Sequence, residues 1–238
     1  LQDEEARKRF DKLVFVSNFQ KTQYELAYGI KPSDFVIMKN CIDPIPNHEK
    51  PDPSEQINII YHTTPHRGLE ILVPVFDELC NHFDNITLDV YSSFEIYGWS
   101  QRDADYEHLF QACRDHPKIN YHGYQPNEVV REALQKAHIF ALPSIWPETS
   151  CIAAIEAMSA KCAIVCPDFA ALPETTAGFA ITYSMHEDVN IHANIMCQVL
   201  AQTIEKIGTP ELTGRTEFSK AYSDAFFSWN SRIPQWNG

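Results

Sequence analysis

Short apolar runs alternate with longer amphipathic stretches along most of the chain. The apolar runs are β-branched or continuously hydrophobic, which is typical of strands covered on both faces. We predict strands at residues 12–17, 35–39, 57–62, 86–92, 119–123, 137–144, 162–166 and 177–183. We predict helices at Asn18–Tyr28, Gly68–His82, Asp105–Arg114, Pro126–Lys136, Ser150–Ala160 and Val189–Ile207.

The order of these elements predicts the fold class. Strands and helices alternate from residue 57 to residue 183, which favours an α/β fold with a Rossmann-like, doubly wound parallel sheet. The apolar residues within 68–82 recur at steps of three and four, which indicates one buried helix face. Pro74 lies inside this pattern, so we expect it to kink the helix or to shift its start.

The two ends of the chain differ from its middle. Residues 1–39 read as helix, strand, helix and strand, and residues 40–56 are proline-rich and predict a linker. We therefore expect the α/β domain at 57–214 and a helical tail at 215–238. In this tail Phe218, Tyr222, Phe226 and Trp229 form an aromatic stripe, which we expect to pack against the core.

Composition and charge argue against several classes of protein. The 238 residues are 44% hydrophobic and carry a net charge of −13, so a nucleic-acid partner is not expected. No apolar run is long enough for a membrane span, and the charged first residues do not resemble a secretory signal. Seven cysteines without a C-x-x-C pair suggest a reducing, cytoplasmic location and no metal site.

The segment 137–160 carries the strongest candidate chemistry. A strand ends near Pro143, and a helix is expected to begin at Thr149 or Ser150, where free amide groups and the helix dipole favour an anion such as phosphate. Glu148 and Glu156 flank this helix start, and a carboxylate there can accept hydrogen bonds from the diol of a ribose. Two plain alternatives stay open, a surface acid at Glu148 and a lysine pair at Glu156.

Two further loops follow predicted strands. Arg67 stands at the mouth of a helix, where a permanent cation suits a diphosphate, although a surface arginine is an equally simple interpretation. His62 lies in the same loop and is more simply a structural residue. Tyr121 or Tyr124 in the segment 121–129 could stack on a base, but that signal is weak alone.

Other motifs in the sequence do not identify a functional site. Asp103 and Asp105 form the D-x-D triplet that holds a metal in some glycosyltransferases, but they precede a helical run instead of ending an apolar strand. Acidic residues at a helix start are expected from the helix dipole. No G-x-G-x-x-G, P-loop or G-x-S-x-G pattern occurs.

Taken together, the segments resemble the carboxyl-terminal half of retaining glycosyltransferases of the GT-B fold, family 4. The segment PSIWPETSCIAAIEAMSA, followed by CAIVCPDFAALPETT, is similar to that family's two-glutamate region. HRGLEILVPVFDEL and NYHGYQPNEVVREALQKAHIFALPS are similar to the two regions that precede it. VFVSNFQKTQYELAYGI and VIMKNCIDP match the stretch that enters the second domain, so the resemblance covers about residues 12–183.

The resemblance implies a role for each matching residue. Arg67 takes the position of the phosphate-binding lysine, Glu156 that of the acid on the ribose, and Glu148 that of the acid beside the donor sugar. Glu148 and Arg67 are thus the expected catalytic residues. The expected substrate-binding residues are Glu156, Thr149, Ser150, Cys151, His62, Thr63 and Tyr124.

The resemblance also implies the reaction. A hexosyl-type unit would pass from a nucleoside diphosphate sugar to a glycan, lipid or small-molecule acceptor, with retention and without a metal or cofactor. An amino-terminal domain that supplies the acceptor site is expected in addition to residues 1–39. The alternatives are a non-catalytic nucleotide-binding module and a sugar-nucleotide epimerase of the same architecture.

The chain departs from the family pattern at three places. His62 replaces a basic residue, Ser150 and Cys151 replace Phe-Gly after the first glutamate, and Lys161 replaces a glycine.

Overall fold

The structure, a computed structural model, describes residues 2–237. Leu1, the first residue of the expected segment 1–39, and Gly238, the last residue of the expected tail 215–238, lie outside the described residues. The strands are β1 (Leu13–Phe15), β2 (Phe35–Ile37), β3 (Ile57–Tyr61), β4 (Ile86–Val90), β5 (Ile119–Tyr121), β6 (Ile139–Ala141), β7 (Ala163–Pro167) and β8 (Ile181–Tyr183). The helices are α1 (Glu4–Arg7), α2 (Asn18–Tyr28), α3 (Leu69–Leu79), α4 (Glu107–Asp115), α5 (Asn127–Lys136), α6 (Ile152–Ser159), α7 (Leu172–Thr176), α8 (Val189–Lys206), α9 (Pro210–Phe226) and α10 (Trp229–Asn237).

Six parallel strands form the central sheet in the order β5-β4-β3-β6-β7-β8. The chain moves outward from β3 to β5 on one side and then returns to build the other side from β6 to β8. The strand order therefore reverses between the neighbours β3 and β6, which is the Rossmann arrangement. The prediction of an α/β fold with a parallel, Rossmann-like sheet is confirmed. In such sheets a crevice forms at the carboxyl ends of the two strands where the order reverses.

The core explains why these segments form strands. All five residues of β7 are buried, as are all three of β6. A strand whose consecutive residues are all buried must be covered on both faces. Helix α3 buries the apolar face that its sequence predicts, and it runs through Pro74 without restarting there. The buried residues on that face are Leu69, Ile71, Leu72, Val75, Phe76 and Leu79.

Gly68 brings together the loops that follow β3 and β6. Its φ angle is 110°, and a Cβ atom at this position would lie 2.2 Å from the carbonyl oxygen of Pro143. No side chain fits at that distance, so only glycine allows the two main chains to approach this closely. The contact places Arg67 beside the loop that carries Glu148.

Residues 13–37 form a small unit of their own, in which β1 and β2 pair in parallel and α2 connects them. Glu174 of α7 attaches this unit to the larger domain. Its carboxylate accepts hydrogen bonds from the backbone amides of Asn18 (3.0 Å) and Phe19 (3.1 Å), and Lys39 lies 3.3 Å away. The amino terminus of α2 is thus held twice, by its N-cap Ser17, whose hydroxyl accepts from the amide of Gln20 at 3.0 Å, and by a carboxylate from another part of the chain.

The carboxyl-terminal helices differ from expectation in two respects. Helix α9 begins at Pro210 and passes through residues 214 and 215, where the tail was expected to start. The expected packing of the whole aromatic stripe is wrong, since Phe218, Phe226 and Trp229 are 70%, 58% and 47% exposed. Tyr222 alone of the four packs against the core. The face of α9 that turns inward instead buries Leu212, Ser219, Lys220 and Ser223.

Lys161, at the position where the family pattern has a glycine, adopts a left-handed backbone conformation. Its φ angle is 59°, in the left-handed region that follows many helix ends, here the end of α6. The side chain lies 2.8 Å from the carboxylate of Glu217 and donates to the carbonyl of His48. The turn after α6 is therefore held by contacts of the lysine side chain.

Candidate functional site

A cavity of about 440 Å³ opens at the carboxyl ends of β3 and β6, where the strand order reverses. Arg67, Glu148 and Glu156 all line it, although the first two are 81 positions apart in the sequence. Its walls come from the loops after β3, β4, β5 and β6 and from the first turns of α5 and α6. The sheet topology thus assembles the three charged residues that the sequence singles out.

Arg67 and Glu148 form an ion pair in this cavity. The Nε atom of Arg67 lies 2.6 Å from Oε1 of Glu148, and the two side chains are 16% and 8% exposed. The pair is close but not aligned as a straight hydrogen bond. Burial raises the pKa of Glu148, and the charge of Arg67 offsets part of that rise. The surface interpretation of both residues is therefore excluded.

The rest of the Arg67 guanidinium is also oriented by neighbours. Nη1 donates to the hydroxyl groups of Thr63 (3.2 Å), Thr64 and Tyr97 (3.4 Å). Nη2 makes no hydrogen bond to any residue in 2–237. One guanidinium nitrogen thus remains able to donate to an anion while the others hold the side chain in place.

Glu156 lies on α6 and is 6% exposed. Its Oε1 atom accepts from Nδ2 of Asn127 at 3.0 Å and lies 3.3 Å from Nη1 of Arg131. The alternative in which Glu156 pairs with a lysine is wrong, because its cationic partner is this arginine.

Helix α6 starts later than the sequence suggests. The expected cap at Thr149 or Ser150 is wrong, since Cys151 is the N-cap residue and makes no capping hydrogen bond through its side chain. Residues before Cys151 do not adopt helical geometry, so the first turn is Ile152 to Ala154. Ile152 and Ala153 line the cavity. Amide groups at an uncapped helix start favour a bound anion.

Most of the remaining predicted site residues line the cavity, but one does not. His62, Thr63, Ser150, Cys151 and Tyr124 line the cavity, with Tyr124 47% exposed at its edge. Thr149 is exposed and does not line the cavity. Burial lowers the pKa of His62 to about 4, so its imidazole is neutral at pH 7 and can donate one N–H.

Sequence reasoning missed three residues near the charged groups, namely Tyr97, Asn127 and Arg131. Asn127 and Arg131 are four residues apart on α5, so the sequence could have placed them on one helix face. Nothing in the sequence shows that this face meets Glu156. Tyr97 lies in a 3-10 turn after β4, and its contact with Arg67 depends on the fold of that loop.

Within residues 2–237, no group of three or more histidine, cysteine, aspartate or glutamate side chains is positioned to hold a metal ion. Asp103 instead accepts hydrogen bonds from Ser93 and from the amide of Phe94 (2.7 Å), which stabilises a turn. Burial raises the pKa of Cys151, so its thiol stays protonated at neutral pH.

A second cavity, of about 250 Å³, lies at the amino ends of the strands. Its basic residues all have structural partners. Lys50 donates to main-chain carbonyls at the end of α5, His138 lies 3.0 Å from the carbonyl of Pro51, and Lys161 pairs with Glu217. The cavity at the carboxyl ends is larger and holds the cation and carboxylates that can act on a ligand, so it is the candidate site.

No helix within residues 2–237 is long and apolar enough to cross a membrane.

Solved structures share this fold. A glycosyltransferase from Rickettsia africae superimposes with a TM-score of 0.78 at 16% identity, covering 98% of this chain and 65% of that one. The α,α-trehalose-phosphate synthase (UDP-forming) from Burkholderia vietnamiensis gives 0.72 at 12% identity, with 98% and 60% covered. Anabaena Alr3699/HepE, solved in complex with UDP and glucose, gives 0.71 at 15% identity, with 98% and 64% covered. At these identities the likeness shows the fold alone, and the chain spans less than two thirds of each structure.

The sequence itself identifies the family. No curated protein sequence matches the chain. A family model described as glycosyl transferases group 1 matches residues 44–185, more than half of the chain. This match contains β3 to β8 and every charged residue of the cavity at the carboxyl ends of the strands. The chain therefore belongs to the group 1 glycosyl transferases.

Proposed function

We propose that the cavity binds a nucleoside diphosphate sugar, the donor substrate of glycosyl transfer. One observation carries the proposal: a buried cation, an uncapped helix start and two carboxylates converge where the strand order reverses. The diphosphate would lie against Arg67 and the first turn of α6. The pentose diol would bind Glu156, and Glu148 would lie beside the donor sugar.

Arg67 and α6 would stabilise the departing diphosphate. When the bond between the anomeric carbon and the diphosphate breaks, negative charge grows on the leaving phosphate oxygen. Arg67, Ile152 and Ala153 line the cavity, and the hydrogen bonds of Nη1 fix the guanidinium of Arg67 before the reaction begins. Donors fixed in this way stabilise the transition state more than donors that must reorient.

The finer assignment to family 4 rests on the resemblance of residues 143–160 and the segments around them. It extends the proposal to transfer of a hexosyl unit with retention and without a metal or cofactor. The acceptor, whether glycan, lipid or small molecule, would be positioned by a further, amino-terminal domain. We also propose a cytoplasmic location, which the seven unpaired cysteines favour.

A thermal-shift panel of UDP, GDP, ADP and their sugar derivatives tests donor binding. UDP is the first probe, because related folds have been solved with UDP bound. A compound present at about 100 times its Kd stabilises the folded state by about 2.7 kcal/mol, which raises the unfolding temperature measurably. If no compound in the panel raises it, the cavity does not bind a nucleoside diphosphate and the proposal fails.

Replacement of the ribose acid tests the site. We expect Glu156→Ala to weaken UDP binding at least tenfold, since hydrogen bonds to a charged group contribute about 1.5–3 kcal/mol. Isothermal titration calorimetry measures the change. Glu132→Ala, an exposed glutamate on α5, is the matched control and should bind as the unaltered chain does. Unchanged affinity in Glu156→Ala would reject the assignment of this residue.

Activity assays separate transfer from the two alternatives. Conversion of a nucleotide sugar in the absence of any acceptor would favour an epimerase. Binding without turnover, even after an acceptor-binding domain is supplied, would favour a non-catalytic module.

A further inference from the structure

Within residues 2–237, hydrogen bonds to Glu156 reach only one of its two carboxylate oxygens. Asn127 and Arg131 both contact Oε1, at 3.0 Å and 3.3 Å. Oε2 receives no hydrogen bond from any residue in the described part of the chain. The carboxylate is therefore fixed by one oxygen, and the other remains open.

Arg131 is itself held from a second side. Its Nη2 atom donates to the main-chain carbonyl of Asp43 at 2.7 Å, and its side chain is only 19% exposed. Asp43 belongs to the proline-rich segment before β3, so the guanidinium bridges this segment and α6. A planar group bound at both ends keeps one orientation. Arg131 does not line the cavity, whereas Asn127 does.

A buried carboxylate without such partners would be free to rotate. The Glu156 side chain is 7% exposed, and its neighbours Ile155, Ala157 and Met158 on α6 are fully buried apolar residues. Arg131 and Asn127 both contact Oε1, so Oε2 is the oxygen that remains free to accept hydrogen bonds from a ligand. A diol needs an ionised, correctly turned carboxylate, because both of its hydroxyl groups donate.

We propose that Arg131 and Asn127 are positioning residues for recognition of the donor's pentose. They hold Oε1 of Glu156 so that Oε2 is presented to the 2′- and 3′-hydroxyl groups of a nucleoside diphosphate. This inference rests on the proposed function and adds to it two residues that act through Glu156. Arg131 acts without touching the nucleotide.

The test compares UDP with 2′,3′-dideoxy-UDP by calorimetry on the full chain. Arg131→Met removes the charge but keeps most of the aliphatic stem. We expect it to weaken UDP binding about tenfold and to leave binding of dideoxy-UDP unchanged, because only the diol uses Glu156. Arg114→Met is the matched control, since Arg114 is an exposed arginine of α4 that pairs with Glu107. It should alter neither affinity.

If Arg131→Met does not fold, Asn127→Ala and the double variant with Glu156→Ala still test the inference. Asn127→Ala should also weaken UDP binding selectively, by a smaller factor. In a Glu156→Ala background, loss of the Asn127 side chain should have no further effect on UDP affinity, because the residue acts through the missing carboxylate.

Three results overturn the inference. Equal losses for UDP and dideoxy-UDP would show that the two residues only support the fold. Equal affinities of the unaltered chain for the two nucleotides would show that no diol is recognised. Absence of UDP, GDP and ADP binding by the unaltered chain would remove the proposed function itself, and the inference with it.

Discussion

Gly68 controls the geometry of the cavity because it lets two loops of the cavity wall approach each other closely. The carbonyl of Pro143 occupies the space in which a Cβ atom would lie. Any larger residue must separate the loop after β3 from the loop after β6. That separation would also move Arg67 away from Glu148.

We expect Gly68→Ala to destabilise the fold by about 2–5 kcal/mol, the sum of overpacking and left-handed backbone strain. Urea unfolding measures this change. Gly178→Ala is the matched control, because Gly178 has a φ angle of 80° but no atom within 4 Å of the place that a Cβ atom would take. The control should lose only about 1–2 kcal/mol. Equal losses in the two variants would show that the contact with Pro143 is unimportant.

At the scale of elements, α2 depends on a carboxylate from α7. Burial raises the pKa of Glu174, but hydrogen bonds from Asn18 and Phe19 and the charge of Lys39 outweigh this and lower it overall. An acid whose pKa is lowered by folding stabilises the folded state fully above its ordinary pKa of about 4.3. That contribution is lost as the pH falls through the lowered value.

We therefore expect Glu174→Ala to loosen α2 at pH 7. The variant keeps the Ser17 cap but leaves the amides of Asn18 and Phe19 without their acceptor, which costs about 1 kcal/mol, so hydrogen exchange of the amides in Asn18–Tyr28 should accelerate about fivefold. Exchange followed by mass spectrometry measures this, with Glu132→Ala as the control. The difference between Glu174→Ala and the unaltered chain should shrink as the pH falls below about 4. A difference that persists there would mean that the ionised carboxylate is not the cause.

The sequence predicts most elements of this fold but not all of their limits. Apolar runs located every strand, and the signal is continuous in β6 and β7 because these two strands are buried on both faces. The start of α9 was missed although Thr209 and Pro210 are a typical N-cap and first helical residue. The aromatic stripe led to a wrong prediction of the buried helix face. Its spacing is helical, but α9 turns small and polar residues such as Ser219 and Ser223 towards the core.

The candidate site was predictable only in part. Arg67, Glu148 and Glu156 could be singled out because each follows a strand at the same edge of a parallel sheet. The ion pair between Arg67 and Glu148 was not predicted, because it depends on the approach of Gly68 to Pro143. Arg131 was missed for the same kind of reason, since its role depends on how α5 packs beside α6.

For the molecule as a whole, we expect four of the seven cysteines to be unreactive in the folded state and the other three to react slowly. Burial raises the pKa of every one of them, to about 11 for Cys113 and about 12 for Cys166. A raised pKa leaves little thiolate, which is the reactive form. Four of the thiols are also buried, namely Cys113, Cys151, Cys162 and Cys166.

We expect a thiol reagent such as DTNB at mildly alkaline pH to modify at most the three partly exposed cysteines, and slowly. Those are Cys41, Cys80 and Cys197. All seven should react at once in denaturant. Absorbance of the released thiolate gives both counts. Rapid modification of more than three thiols in the folded protein would contradict the burial of the other four.

The left-handed turn after α6 restricts which amino acids can occupy position 161 during evolution. A lysine there costs about 1 kcal/mol relative to glycine, and Lys161 offsets this strain through its contacts with Glu217 and the carbonyl of His48. If Glu217 were lost, that compensation would weaken and glycine would become the better residue at position 161. The two positions are therefore epistatic, and we expect related sequences to exchange lysine and glutamate together.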